Sequence, residues 1–209
     1  SALAMREAEA SHGAVMLGVL PLATAVAGAA LTGERPSAAF WISAMAGGAA
    51  VVVFGLMGGG WALRWVDVAL VGACICAAIG YAEGARLARA MGSLNVISWA
   101  LVIAAPFVIL PAAWAAPADL SAPWPAWLAF IYVSLISQFL GFFAWYKALS
   151  IGGIARVSQT QLLQPFFTLF AAALLLGEAV TGATVAFALL VLVFVVAGLR
   201  AKVAVAPQA

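Results

Sequence analysis

The chain is a succession of long apolar runs separated by short connections that hold most of its glycine, proline and charged residues. Each run is about 20 residues long, which as an α-helix is enough to cross the hydrocarbon core of a bilayer. The runs are residues 13–31, 37–57, 68–89, 94–114, 127–149, 156–176 and 183–199. This pattern predicts an all-α, polytopic transmembrane bundle of about seven helices, in which short connections make neighbouring helices antiparallel.

Composition agrees with that prediction and argues against several kinds of chemistry. Of the 209 residues, 67% are hydrophobic and 8% are charged, whereas a soluble domain carries about 25% charged residues. His12 is the single histidine, and Cys74 and Cys76 lie two positions apart, so on a helix they point to different faces. We therefore expect no disulfide, no metal centre and no cofactor.

One stretch of the chain occurs twice, at a constant offset and without a gap. Both copies hold a proline in an apolar run, a threonine three residues later, and a Gly-Glu pair at the end. The matched residues are Pro21 with Pro165, Thr24 with Thr168, and Glu34 with Glu178. Internal repeats of this kind are common in secondary transporters, which are built from two related halves.

The cations predict the orientation of the helices. Threading the chain through seven spans places most Lys and Arg residues on one side of the membrane. The larger set is Arg35, Arg86, Arg89, Lys147, Arg156, Arg200 and Lys202, and the smaller set is Arg6 and Arg64. By the positive-inside rule the larger set and the C-terminus are cytoplasmic. The two copies then cross in opposite directions, which is the arrangement of an inverted repeat.

Three of the predicted helices each carry polar or tryptophan side chains on one face, at helical spacing. Such groups are costly in hydrocarbon and usually face other helices or a wet cavity. For a single residue, a hydrogen bond between helices is the simpler interpretation. For the whole set we predict a water-accessible substrate cavity, with Gln138 and Gln164 near mid-membrane. Its candidate residues are Asn95, Ser98, Trp99, Ser134, Gln138, Trp145, Gln161 and Gln164.

The repeated prolines are predicted to kink their helices. A mid-helix proline has no N–H to donate, which frees the carbonyl four residues before it. For Pro165 that carbonyl belongs to Gln161, and for Pro21 it belongs to Leu17. Two interpretations stay open at this stage: either the freed carbonyls face a substrate, or each proline only bends its helix.

The carboxylates are expected to be structural. Glu34 and Glu178 end the two copies at opposite membrane faces, where pairing with a neighbour is favoured over proton coupling. Glu83 lies three residues before Arg86, which predicts an ion pair at the membrane interface. No acidic residue is placed unambiguously at mid-membrane, and this argues against an obvious carboxylate-driven proton antiporter.

Several of these segments resemble the EamA family of the drug/metabolite transporter superfamily. The resemblance rests on an aromatic-Ala-Leu segment ending at Leu149, the mid-helix proline Pro165, and the closing pair Gly177-Glu178. It implies ten helices in two inverted halves of five, and export of small metabolites, often amino acids, across a bacterial inner membrane. Residues 1–60 would be the last two helices of the first repeat, and residues 61–205 the complete second repeat. The first three helices of such a protein would then be missing.

The same resemblance implies the lipid bilayer and a small-molecule substrate as partners and no nucleic acid, with a homodimer left open.

A retinal-type receptor would need a lysine in its last helix, and residues 183–199 contain none. An intramembrane protease would need a Ser-His or Asp pair at depth, whereas His12, Asp67 and Asp119 lie at helix ends or in a loop. We therefore predict no enzyme. A non-transporting membrane scaffold, a fragment, or a seven-helix protein that needs a partner is the alternative.

Overall fold

The computed structural model describes residues 10–57, 65–115, 123–177 and 180–205, and most of them are helical. The first elements are α1 (Ala10–Thr32), β1 (Glu34–Pro36), α2 (Ala38–Met57), α3 (Trp65–Met91) and α4 (Ser93–Ala115). They are followed by α5 (Trp124–Ile131), a π-helical stretch (Tyr132–Leu140), α6 (Gly141–Gly152), α7 (Ile154–Ser158), a 3-10 stretch (Gln159–Leu163), α8 (Gln164–Leu176), α9 (Gly182–Arg200) and β2 (Val203–Val205).

The predicted all-α, polytopic bundle is confirmed, with a helix or group of helical pieces on each of the seven apolar runs. Within the described ranges, five helical segments are long and apolar enough to cross a membrane. They are Ala38–Met57, Val68–Met91, Ser93–Trp114, Trp124–Gly152 and Gly182–Arg200, and a shorter apolar stretch, Gly18–Thr32, belongs to α1.

The expectation of a single helix over residues 156–176 is wrong. That run consists of α7, the 3-10 stretch and α8, with Pro165 in the first turn of α8. Because Pro165 cannot donate to the carbonyl of Gln161, the chain tightens there, and the N–H of Gln164 donates to that carbonyl instead. One interpretation of this proline was that it leaves the carbonyl of Gln161 free to face a substrate. In the structure that carbonyl accepts from Gln164, so it is not free.

The fold divides into two compact units. Unit 1 comprises Ser1–Ala82 and Gly152–Ala209, and unit 2 comprises Glu83–Ile151. In unit 1, one group of buried apolar residues joins α2, the 3-10 stretch, α8 and α9, and a second joins α1, α2, α7 and the segment after α9. The first group is Ala50, Val51, Leu162, Phe166, Val191 and Val195, and the second is Ala25, Phe40, Ala44, Ala155 and Ala201.

Two short strands, which the hydrophobic pattern did not predict, join one end of unit 1. β1 pairs antiparallel with β2, with Arg35 opposite Ala204. Next to them, the Nε and Nη2 atoms of Arg156 donate to the carbonyl of Ala201 at 3.2 and 3.0 Å. Arg35, Arg156 and the residues around Lys202 therefore lie at the same end of unit 1, in agreement with the threading that placed them on one side.

Unit 2 contains the end of α3, then α4, α5, the π-helical stretch and most of α6. A Cβ atom at Gly84 would overlap the ring of Tyr146, so α3 and α6 are in close contact there. The predicted ion pair is confirmed, with Arg86 Nη2 at 2.7 Å from Glu83 Oε2. In contrast, none of the described residues of α5 and the π-helical stretch is buried.

Candidate functional site

The polar centre of unit 1 lies where α7 gives way to the 3-10 stretch. Four polar residues stand in a row there, from Ser158 to Gln161, inside an otherwise apolar run. Ser158 is fully buried and Gln159 is 1% exposed. The Oγ atom of Ser158 lies 3.2 Å from the carbonyl oxygen of Pro21 and 2.9 Å from that of Ala155, both within hydrogen-bonding distance. We call residues 10–34, from the start of α1 to Glu34, copy 1, and the equivalent residues 154–178, each 144 positions later, copy 2. The 3-10 stretch of copy 2 thus follows directly on a contact with the proline of copy 1.

Two side-chain oxygens in this stretch are buried and lack a hydrogen-bond donor among the described residues. They are Oε1 of Gln159 and Oε1 of Gln161. The carboxamide of Gln159 donates through Nε2 to Ser158 Oγ at 3.4 Å, and that of Gln161 hydrogen-bonds Tyr81. A buried acceptor without a donor costs about 1–3 kcal/mol. A bound group that carries N–H donors would recover that free energy.

The carboxylate of Glu34 joins the end of copy 1 to the start of copy 2. Its Oε1 accepts from the backbone N–H of Ile154 and its Oε2 from that of Ala155, both at 2.8 Å. Glu34 is 3% exposed, and these N–H groups belong to the first turn of α7, which has no intrahelical acceptors for them. We call this arrangement the Glu34 cap. It supports the expected structural role of Glu34, while Glu178 lies outside the described residues.

The contacts between the copies run in opposite directions along the chain. Glu34 and Gly28 meet Ile154, and further back in copy 1 Pro21 meets Ser158, further forward in copy 2. A Cβ atom at Gly28 would lie 2.8 Å from Cγ2 of Ile154, so the backbone of α1 approaches α7 closely. The two copies are therefore antiparallel where they touch.

In unit 2, the predicted cavity residues lie on α4, the π-helical stretch and α6. Asn95 is exposed and donates through Nδ2 to the carbonyl of Met91 at 2.8 Å. Ser98 is half-buried, whereas Trp99 is 58% exposed. In the π-helical stretch Ser134 is half-buried and Gln138 exposed, and Trp145 in α6 is half-buried.

The π-helical stretch changes the spacing on which one predicted face was based. Its last turn has the N–H of Gly141 donating to the carbonyl of Ile136, five residues back. Ser134 and Gln138 were assigned to one face with α-helical periodicity, and a wider turn rotates them relative to α6. Short π segments inside α-helices occur frequently at functional sites, and this nine-residue stretch holds two candidate residues.

In unit 1, the two predicted cavity residues have different surroundings. Gln161 is half-buried in the 3-10 stretch, whereas Gln164 is exposed at the start of α8. The structure thus divides the eight candidates between unit 2 and unit 1, and a cavity shared by all of them stays a prediction. Sequence reasoning missed Gln159, since its position is off the face computed for a regular helix. The row of four polar residues was the available signal.

Comparisons with known proteins identify the family of this chain. The model of the EamA-like transporter family matches residues 64–198. The chain is 43% identical over 206 residues to an uncharacterized transporter, YdeK, of Bacillus subtilis (strain 168), which covers 96% of this chain and 70% of that protein. A solved structure, titled only as the crystal structure of a protein, has 20% identity and a TM-score of 0.76, covering 94% of this chain and 71% of its own; it shows the same fold. On the family match and the close relative together, the chain belongs to the EamA-like transporter family and is a multi-pass membrane transport protein.

Proposed function

We propose that the protein exports small neutral or zwitterionic metabolites, such as amino acids, by alternating access across a bacterial inner membrane. The observation that carries this proposal is the antiparallel contact between the two copies of the repeat, through the Glu34 cap and through Ser158 and Pro21. Inverted repeats that rock about a midplane site are the general construction of secondary transporters. In this proposal residues 1–60 and 61–205 belong to the two repeats, no reaction is catalysed, and the C-terminus is cytoplasmic.

The buried acceptors support the substrate class. Oε1 of Gln159 and Oε1 of Gln161 have no donor among described residues, and both lie in the 3-10 stretch of copy 2, directly after Ser158, which contacts copy 1. An ammonium group offers three N–H donors and would satisfy such oxygens. Leu162 and Phe166 belong to the apolar core of unit 1 next to these oxygens, so the aliphatic or aromatic side chain of a substrate would have apolar neighbours there. An amino acid combines both features, and Gln161 and Gln164 are the predicted cavity residues of this unit.

The Glu34 cap is a contact that alternating access would have to change. Two charge-assisted hydrogen bonds hold the end of copy 1 on the first turn of α7. Rocking of one repeat against the other would have to break or carry this contact, because its two sides belong to different repeats. Since both partners are buried, the contact favours the state in which this end of unit 1 is closed.

The test is amino acid export by cells that express the protein as its gene encodes it. Cells are loaded with dipeptides, and the appearance of amino acids outside is compared for the native protein and the double variant Gln138→Leu/Gln164→Leu. We expect export to fall about tenfold or more, as loss of one to two polar contacts to a bound substrate would cause. Ser43 is half-buried, and its hydroxyl donates to the carbonyl of Ala39 in its own helix, so it supplies the control Ser43→Ala, which should export normally.

A second variant separates binding from folding. Gln159→Met removes a buried oxygen that lacks a donor, so the stability of the protein should be unchanged or raised while export falls. If both glutamine variants export at the native rate with equal amounts in the membrane, the cavity assignment is wrong. If the native protein exports no amino acid while other metabolites leave faster, the substrate class is wrong.

A further inference from the structure

Unit 2 contains a cavity of about 470 Å³ that none of the predicted site residues lines. It lies between the end of α3, the start of α4 and the end of α6. Leu94 and Phe143 supply apolar walls, and Ser93 and Ser150 supply hydroxyls. Arg89 and Lys147 supply two positive charges. We call these six residues the basic crevice.

Among the residues that the structure describes, no carboxylate balances the charge of the basic crevice. No carboxylate is among its lining residues. The neighbouring Arg86 is paired with Glu83, whereas Arg89 and Lys147 make no ion pair with any residue that the structure describes. Both cations are exposed, so they can turn towards a bound anion. An anion in the crevice would therefore meet two uncompensated positive charges.

The backbone N–H groups at the start of α4 also favour an anion, because they are hydrogen-bond donors at the positive end of a helix. Between α3 and α4 the chain turns at Gly92, whose φ of 86° is in the left-handed region. The carbonyl of Gly92 accepts from Val96 N–H at 3.2 Å, so α4 starts directly after this glycine. Gly92 has no side chain with which to cap the N–H groups that follow it. The positive end of a 23-residue helix thus opens beside the two cations.

The apolar walls indicate which anion fits. A soluble anion would gain nothing from Phe143 and Leu94, whereas a molecule with an anionic head and an apolar body would contact both parts. The crevice also lies at the ends of three membrane-crossing segments, where lipid headgroups are found. Basic pockets between transmembrane helices on the cytoplasmic side are suited to anionic lipid headgroups. The threading puts both Arg89 and Lys147 on that side.

We propose that the basic crevice binds the phosphate group of an anionic phospholipid, with Arg89 and Lys147 as its charged contacts. The N-terminal N–H groups of α4 and the hydroxyl of Ser93 complete the phosphate site, and acyl chains lie along Phe143 and Leu94. This inference does not depend on which metabolite the protein transports.

The test is lipid retention by the purified full-length protein, measured by native mass spectrometry after reconstitution in nanodiscs of phosphatidylcholine with phosphatidylglycerol. We expect the native protein to retain phosphatidylglycerol preferentially. Each of Arg89→Gln and Lys147→Gln should reduce retention about fivefold, since a cation near an anionic surface contributes about that factor. The matched control is Arg200→Gln/Lys202→Gln, which removes two cations of the same predicted side outside the crevice and should change retention less than twofold.

Three results would overturn the proposal. The crevice variants could retain the lipid as well as the native protein does. The control could lose as much as they do, which would mean a general surface attraction. Inorganic phosphate, added to discs of phosphatidylcholine alone, could raise the thermal stability as much as phosphatidylglycerol does, which would make the ligand a soluble anion. The charge-preserving variant Arg89→Lys/Lys147→Arg guards against misfolding and should keep the lipid.

Discussion

The two copies of the repeat carry the same proline and threonine, yet they fold differently. In copy 1, Pro21 is buried inside α1, which is assigned as one helix from Ala10 to Thr32. In copy 2, the equivalent Pro165 is half-buried and follows a 3-10 stretch that separates α7 from α8. A proline permits a break in a helix without requiring one, because the surrounding contacts decide how the missing hydrogen bond is replaced.

The start of copy 2 is fixed by contacts that the structure describes. Copy 2 begins directly after Gly153, whose φ of 87° turns the chain, and the Glu34 cap then holds the first residues of α7. The segment between that cap and Pro165 is short, and it closes as a tighter helix. The first turn of copy 2 is therefore held by a carboxylate that belongs to copy 1.

The largest expected effect comes from removing the Glu34 cap. Glu34→Ala leaves two buried N–H groups of α7 without acceptors, and each bond to a charged acceptor contributes about 1.5–3 kcal/mol. We expect the free energy of unfolding to fall by about 4 kcal/mol, measured by denaturation in mixed micelles. Glu83→Ala is the control, since it breaks an exposed ion pair that contributes less than about 1 kcal/mol. Equal losses for both variants would contradict the importance of the cap.

A smaller effect is expected at Gly28, where α1 lies close to α7. A methyl group at Gly28 would overlap Ile154, so Gly28→Ala must push α1 away from α7. We expect a loss of about 2 kcal/mol, typical of overpacking in a core. In the control Gly80→Ala the new methyl group meets no atom within 4 Å, so the variant should keep or slightly raise stability. A Gly28→Ala variant of native stability would mean that the two copies separate freely.

The smallest expected effect is a difference in stability between variants of the two matched threonines. Thr24 and Thr168 each donate to the carbonyl four residues back, at 2.9 and 3.1 Å, but Thr24 is fully buried and Thr168 is exposed. Thr24→Val should cost about 1 kcal/mol, because a buried carbonyl loses a donor, and Thr168→Val should cost less than about 0.5 kcal/mol. Thermal unfolding of the two variants in the same detergent measures the difference. Equal shifts would show that burial does not distinguish the copies.

The apolar pattern predicted much of this fold because the bilayer imposes it. A segment that crosses hydrocarbon must satisfy its backbone hydrogen bonds internally, so length and hydropathy are sufficient to locate helices such as α2 and α9. The ion pair of Glu83 and Arg86 was predictable for a similar reason, since helical spacing alone brings residues three apart together. The family resemblance also came from local segments, and the comparisons confirmed it.

The candidate site was less predictable because it depends on departures from regular helices. Gln159 lies off the face expected for a regular α-helix, so the sequence did not single it out. Ser134 and Gln138 were placed on one face with α-helical spacing, whereas they lie in a π-helical stretch. Neither a 3-10 nor a π-helical stretch has a reliable local signal in the sequence. The partner of Glu34 is a second example. A Gly-Glu pair at a helix end indicates that the chain turns, but the two N–H groups that the carboxylate accepts from lie 120 and 121 residues away.

The sequence by itself thus determined the class of protein, the number and approximate ends of its apolar segments, and the repeat that relates two of them. All of these follow from periodicity and composition, which are local properties of the chain. Only the tertiary structure decided which copy of the repeat is continuous and which is broken, where Glu34 finds its hydrogen bonds, and that Arg89 and Lys147 share one crevice. Those outcomes depend on contacts between distant segments, where burial and unsatisfied hydrogen-bonding groups outweigh local preference.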